Sequence, residues 1–163
     1  MAAGPSLDLV LTSTNGRSRS LREWLTTFHL VLVALDPYNS RSRWILATAG
    51  RILSDYDQAD CRVAWLLGGD ASDARRFLGK RATDILTFVD PELVAVRGFG
   101  LATLPAIVHI GMDGQVVNAV EGWDPPAWRR LTTELSRVVG WTQPLVPGPR
   151  DPGPFAGAPV PQR

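Results

Sequence analysis

Apolar positions along the chain follow two periods. Residues 29–36, HLVLVALD, and 61–67, CRVAWLL, are nearly continuous apolar runs with many branched side chains. Strands buried on both faces of a parallel sheet have this pattern, because neither face leaves room for a polar residue. Residues 7–12, LDLVLT, alternate and predict a shorter strand, with Asn15-Gly16 as a turn after it. Residues 84–90, DILTFVD, predict another short strand. Residues 105–111 and 115–122, PAIVHIG and QVVNAVEG, flank Asp113-Gly114, and two strands on a short Asp-Gly turn make a hairpin.

The helical period fills the gaps. Ser20 and Glu23 have capping-box spacing and open a short helix over 21–28. Residues 40–58 carry Trp44, Ala47, Ile52 and Leu53, with Leu46 and Ala49, on one helical stripe, and Asn39 or Ser40 is its natural N-cap. Residues 72–82 predict an amphipathic helix capped by Ser72 or Asp70. Residues 91–99 predict a short one with Pro91 in its first turn. Residues 124–140 close the pattern: Asp124 as N-cap, prolines in the first turn, Gly140 past the end, and an apolar stripe of Trp128, Leu131, Leu135, Val138 and Val139. Strands alternating with helices demand right-handed crossovers in a parallel sheet, and the hairpin adds antiparallel strands. The expected fold class is α/β, a mixed central sheet with helices on both faces, a terminal β-hairpin and a C-terminal helix.

Composition changes this picture at one place. After Trp141 the chain holds seven of its 13 prolines, interleaved with glycine and alanine. Few apolar side chains remain there to offset the entropy of ordering. Residues 1–141 are therefore expected to form one domain, and residues 142–163 a disordered Pro/Gly-rich tail, partly polyproline II.

The length of 163 residues suits one domain with a real core. A net charge of +1 gives no broad attraction for nucleic acid or anionic membrane, and neither is expected as a partner. No stretch reaches the roughly 18 apolar residues of a membrane span, and the first twenty residues lack the pattern of a secretory signal. The single cysteine, Cys61, has no partner for an internal disulfide. These features lead us to expect a cytoplasmic protein.

From residue 90 onward the residues carry a family likeness. Phe99-Gly100, Leu104-Pro105, Asp113-Gly114 and Gly122 follow one another as an aromatic-Gly pair, an apolar-Pro step, an Asp-Gly turn between strands, and a glycine before the last helix. This order resembles the C-terminal half of thioredoxin-like proteins, and within them the TlpA-like and peroxiredoxin-like (AhpC/TSA) redoxin branch. The strand and helix expected over 84–98 fit that branch, and the likeness extends over residues 7–140.

The resemblance implies a three-layer thioredoxin-like fold and locates an active-site turn. Pro105 would be a cis-proline that bares the backbone of Leu104 to a bound peptide. The family's Cys-x-x-Cys falls on Asn39-Ser40-Arg41-Ser42, followed by Arg43, so both thiols are absent. Val33 stands where many thioredoxins keep a buried carboxylate. Disulfide exchange needs a thiolate of lowered pKa, and an asparagine amide cannot attack sulfur. The expected function is a non-catalytic binding module. Its groove, formed by Tyr38, Asn39, Ser40, Arg41, Ser42, Leu104, Pro105 and Trp123, would take another protein or a small ligand. Ser40, Arg41, Ser42 and Arg43 share a helix N-terminus and form a candidate anion site.

Two alternatives remain open: weak thiol-dependent redox or peroxidase activity through Cys61, and a structural subunit docked by its Pro-rich tail. Cys61 is expected roughly 15–20 Å from the Asn39 turn, at the opposite end of a strand. His29 and His109 lie on different strands without cysteine or spaced carboxylates nearby, so no metal site is expected and they read as hydrogen-bonded sheet residues. The Gly-Gly-Asp at 68–70 lacks the Gly-Lys-Ser/Thr of a phosphate loop. No cofactor is expected.

Overall fold

The computed structural model describes residues 5–162; residues 1–4 of the expected domain and Arg163 of the expected tail lie outside the described residues. The strands are β1 Val10–Ser13, β2 Ser18–Ser20, β3 His29–Leu35, β4 Cys61–Leu67, β5 Leu86–Val89, β6 Thr103–Leu104, β7 Ala106–Ile110, β8 Val116–Glu121 and β9 Ala158–Pro159. The helices are α1 Leu21–Trp24, α2 Ser40–Trp44, α3 Leu46–Asp55, α4 Ala71–Leu78, α5 Arg81–Asp84, α6 Val94–Gly98 and α7 Pro125–Val139. Seven strands form one mixed sheet in the order β2-β1-β5-β4-β3-β7-β8, and β6 pairs with β9 apart from it.

The two apolar runs sit at the centre. β3 and β4 pair in parallel with His29 opposite Cys61 and Leu35 opposite Leu67, and β7 flanks β3 antiparallel. Leu30, Leu32 and Ala34 face one layer, which α1 and α6 cover with Leu21, Trp24 and Val96. Val31, Val33 and Leu35 face the other, where α3, α4 and α7 supply Ile52, Phe77, Trp128 and Leu131. Burial on both faces is why these strands carry no polar alternation.

Local chemistry moves several boundaries. The alternating segment continues into a tight hairpin, β1 to β2, around Asn15-Gly16, so the first strand lies later than expected. The helix expected over 40–58 is two helices meeting at Ile45. The helix expected over 72–82 ends at Gly79, whose φ of +59° breaks the ladder, and α5 forms a separate turn. Pro91 precedes α6 rather than starting it: the Asp90 carboxylate, just past the end of β5, accepts from the N–H groups of Ala95 and Val96. The capping box at Ser20 and Glu23, the Asp124 cap and the left-handed Gly140 all form in the structure.

The C-terminal segment departs most from expectation. Residues 141–160 are packed on the domain rather than disordered. Val146 is buried, 3% exposed, in the α3/α7 core layer. The Asp151 side chain, 5% exposed, pairs with Arg51 at 2.8 Å and accepts from Thr48 Oγ1 at 2.8 Å and from its own Gly148 N–H. Arg51 also donates to the carbonyl of Leu145, and Trp141 Nε1 donates to the carbonyl of Asp55. Counting apolar side chains in the segment missed these partners, because they are polar groups displayed by α3. Among the described residues no helix is long and apolar enough to cross a membrane, and no cluster of three or more His, Cys, Asp or Glu could hold a metal ion.

Candidate functional site

β3 ends at Leu35, and the chain turns through Asp36, Pro37 and Tyr38 into α2. Asp36 is buried; its N–H donates to Ser42 Oγ at 2.9 Å, and its carboxylate accepts from the Tyr38 N–H. Ser42, at the second position of the absent thiol pair, is fully buried and ties the turn to its own helix. Asn39, at the first position, is the N-cap: Oδ1 accepts from the N–H of Arg41 at 2.7 Å and of Ser42 at 3.2 Å. Its Nδ2 donates to the carbonyl of Leu104 at 3.3 Å. Asparagine thus joins two segments that the missing thiol would have faced.

The Leu104-Pro105 peptide bond is cis, as is Val146-Pro147. Leu104 and Pro105 are buried, and the Pro105 carbonyl accepts from the Gly122 N–H at 2.7 Å. Trp123 follows, 1% exposed and edge-on to Trp128 with ring centroids 5.1 Å apart. The structure brings Asn39, Arg41, Leu104, Pro105 and Trp123 onto one face. Tyr38 and Ser40 stand exposed at its margin.

That face is occupied by the chain's own C-terminal segment. β9 pairs antiparallel with β6, Thr103 opposite Pro159 and Leu104 opposite Ala158, and the Val160 N–H donates to the carbonyl of Ala102. Trp123 and Phe155 exchange both main-chain hydrogen bonds, at 2.8 and 3.0 Å. Trp123 Nε1 donates to the carbonyl of Pro152 at 2.8 Å. Arg41 Nη1 donates to the carbonyls of Ala156 and Gly157 at 3.1 and 3.0 Å. The half-buried Phe155 ring meets Trp44 edge-on at 5.4 Å.

Two glycines let the backbones come this close. A Cβ on Gly122 would lie 2.8 Å from both Gly157 N and Phe155 O, and its φ of +74° is itself left-handed. A Cβ on Gly157 would lie 2.6 Å from Thr103 Oγ1 and 3.1 Å from Leu104 N. Thr103 is fixed in turn, its N–H and hydroxyl both donating to Glu121 Oε1 at 2.7 Å. Phe155, Gly157, Thr103 and Glu121 were not among the expected site residues. Phe155 was visible as the one phenylalanine in a segment of small residues, but nothing in the sequence says which surface it meets.

Three of the four candidate anion-site residues, Arg41, Ser42 and Arg43, have other partners. Asn39 already accepts from the N–H groups that would face an anion, and Arg41 is turned to main-chain carbonyls. The Arg43 guanidinium lies over the Phe77 ring at 4.9 Å. Together with Pro37, Tyr38, Asp73 and Arg76 these two line a cleft of about 120 Å³ beside the turn. A larger hollow of about 340 Å³ lies on the outer face of α7, between Arg130 and Glu134, away from the turn.

Cys61 starts β4, at the sheet end opposite the turn, and is buried. Burial pushes its thiol up to about 11, with Asp60 adding to the shift. His29 Nδ1 and His109 Nε2 are 2.8 Å apart at the same end. His109 is fully buried, and burial, helped by His29, pushes it down to about 4.

No family model matches the sequence, and no curated protein matches it. Solved structures do. A putative thiol:disulfide interchange protein DsbE from Chlorobium tepidum superposes with a TM-score of 0.69 at 18% identity, over 86% of this chain and 99% of that one. Peroxiredoxin Q from Xanthomonas campestris gives 0.62 at 16% identity, over 81% and 90%. A hypothetical protein from Sinorhizobium meliloti gives 0.64 at 15% identity and spans 98% of this chain, C-terminal segment included, and 94% of its own. At these identities the likeness is one of fold: the chain has the thioredoxin-like fold of these redoxins, with one cysteine and no Cys-x-x-Cys pair.

Proposed function

We propose that this protein is a non-catalytic thioredoxin-fold module that binds extended polypeptide across its degenerate active-site face. The observation that carries the reading is the strand already lying there. β9 is bound by β6 main chain, and the residues leading into it by Trp123 and the Arg41 guanidinium, while Asn39 and Ser42 fill the thiol positions with hydrogen-bonding groups. Adding a strand to exposed main-chain groups is a general way to hold a peptide, since every residue brings its own N–H and C=O. The groups on this face are donors, acceptors and aromatic surface, and none is a nucleophile. Cys61 is held neutral and lies a strand's length away, about 20 Å along β4, which disfavours the enzymatic alternative. A cytoplasmic setting, with no nucleic acid or membrane partner, belongs to the same proposal.

The test pairs two assays. Disulfide reduction on an insulin-type substrate should stay at background. A displayed library of random dodecapeptides, panned on the full chain carrying Gly157→Val to loosen its own strand, should yield binders that are lost on Arg41→Ala. Turnover that disappears with Cys61→Ser, or a library with no Arg41-dependent binder, would refute the reading.

A further inference from the structure

The C-terminal segment is held in two blocks of different character. Residues 141–152 are anchored mainly by side chains: the Asp151 carboxylate on Arg51 and Thr48, the Val146 side chain in the core, the Trp141 indole on Asp55. Residues 153–160 are held by main chain. Their carbonyls take Arg41 and Trp123, their amides give to Trp123 and Ala102, and two apolar side chains are half-buried, Phe155 beside Trp44 and Val160 against the α1/α6 core layer. Gly153, Pro154, Ala156 and Pro159 are exposed. Main-chain bonds carry no sequence information, so the second block can be replaced by any segment of the right shape.

That shape is written in the contacts. The space beside Trp44 and Trp123 takes an aromatic ring. Two residues later only glycine fits, because a Cβ there strikes Thr103 and the Leu104 N–H. The neighbours on both sides, Ala156 and Ala158, are small. At the next position Pro159 lacks an N–H and blunts the outer edge, so no further strand is templated.

Resting on the reading of this face as a peptide site, the geometry points to a self-occupied site. Residues 153–160 are its resident ligand. The external partner is an extended segment of another polypeptide with the same chemistry, an aromatic residue followed by small-Gly-small and proline. The partner binds when the resident block leaves, while the first block stays anchored at Asp151. A tethered occupant acts at an effective concentration in the millimolar range, so it excludes weak competitors and yields only to a segment that fits better or is locally abundant.

The experiment uses the full chain. Gly157→Val unseats the resident block without touching Asp151 or the receiving face. The probe is a synthetic peptide with the sequence of residues 151–162, DPGPFAGAPVPQ. Binding is followed by calorimetry and by the amide signals of Leu104, Gly122 and Trp123, with melting curves to show that the variant folds. The peptide should bind the Gly157→Val chain saturably and at least tenfold more tightly than it binds the wild-type chain. The same peptide with valine in place of its central glycine should bind neither. If Gly157→Val does not fold, Phe155→Ala, which removes the block's seated aromatic side chain, serves for the same comparison.

Equal binding to wild type and variant would overturn the gating. So would no binding to a variant whose Leu104 and Trp123 amides show the face vacated. A concentration-dependent wild-type dimer with those amides still protected would mean that the block is exchanged between copies, and would overturn the one-chain plug. If the vacated face binds library peptides but not this one, the inference fails alone. If it binds no peptide at all, the peptide-module reading fails with it.

Discussion

At one end of the central sheet β3 hands over to α2, and there Arg41 and Trp123 hold the main chain of residues 152–157, while Asn39 ties the turn to the Leu104 carbonyl. At the other end His29, His109 and Cys61 gather, where β3, β4 and β7 meet. The second end has the residue types that usually do chemistry. Yet burial holds His109 down near about 4 and Cys61 up near about 11, so both are neutral at pH 7. The first end has no such types, but its hydrogen-bonding groups face the chain's own C-terminal segment. Residue type alone therefore does not mark a reactive site here: the histidines and the cysteine at the far end are packed into the core and its margin.

Acid should separate the two ends most strongly. His109 has an ordinary value of 6.5 and a folded value of about 4. Above pH 6.5 neither state carries the proton, and stability does not depend on this group. Between 6.5 and 4 the unfolded chain is protonated while the folded chain is not, so stability falls as pH falls. Below 4 both are protonated and the loss stops growing. The full effect is about 3 kcal/mol. Urea unfolding at pH 7 and at pH 4.5 should show most of it, and His109→Leu should flatten the slope. An unchanged slope in that variant would place the acid sensitivity elsewhere and end the contrast.

Next in size is the anchor of the C-terminal segment. Asp151→Ala leaves the Arg51 guanidinium and the Thr48 hydroxyl without their shared acceptor, and should cost about 2 kcal/mol. Arg51 keeps some contact with water, its side chain being 35% exposed, so the loss stays below that of a fully buried pair. Asp151→Asn, which keeps the shape and one acceptor oxygen, should cost less. Amide exchange at Trp123 and Phe155 should accelerate in Asp151→Ala, because the strand at the site hangs from this anchor. A midpoint within experimental error of wild type would show that the segment contributes nothing to the fold.

What was legible beforehand has a physical boundary. The strands β3, β4 and β7 and the helix α7 could be read because their patterns repeat over many residues and their burial is two-sided or one-sided throughout. The turn at residues 36–42 could be located by resemblance, and the structure puts Asn39, Arg41, Leu104, Pro105 and Trp123 on one face. The C-terminal segment could not be read. Its order depends on Arg51, Thr48 and Asp55, about a hundred residues earlier in the chain, and on two glycines whose role is to let backbones approach. Proline content reports on what a segment does alone. It says nothing of a receiving surface built by other elements. Helix breaks at Ile45 and Gly79 were equally hidden, since a stripe of apolar residues continues through them.

The smallest effect expected is at Cys61, and it tests whether the far end is as inert as its environment implies. Raising a thiol from 9.0 to about 11 lowers the thiolate fraction near neutral pH about a hundredfold. Burial at the first residue of β4 adds a steric barrier. A disulfide reagent at pH 8 should therefore modify the native chain at least a hundredfold more slowly than the chain in urea. Cys61→Ala should shift stability by less than about 1 kcal/mol, because only one sulfur leaves a site at the margin of the core. It should also leave peptide binding by the Gly157→Val chain unaltered, since about 20 Å of strand separates it from Asn39. Rapid native modification would show that the thiol opens to solvent, and peptide affinity that changed with it would join the two ends that the sheet keeps apart.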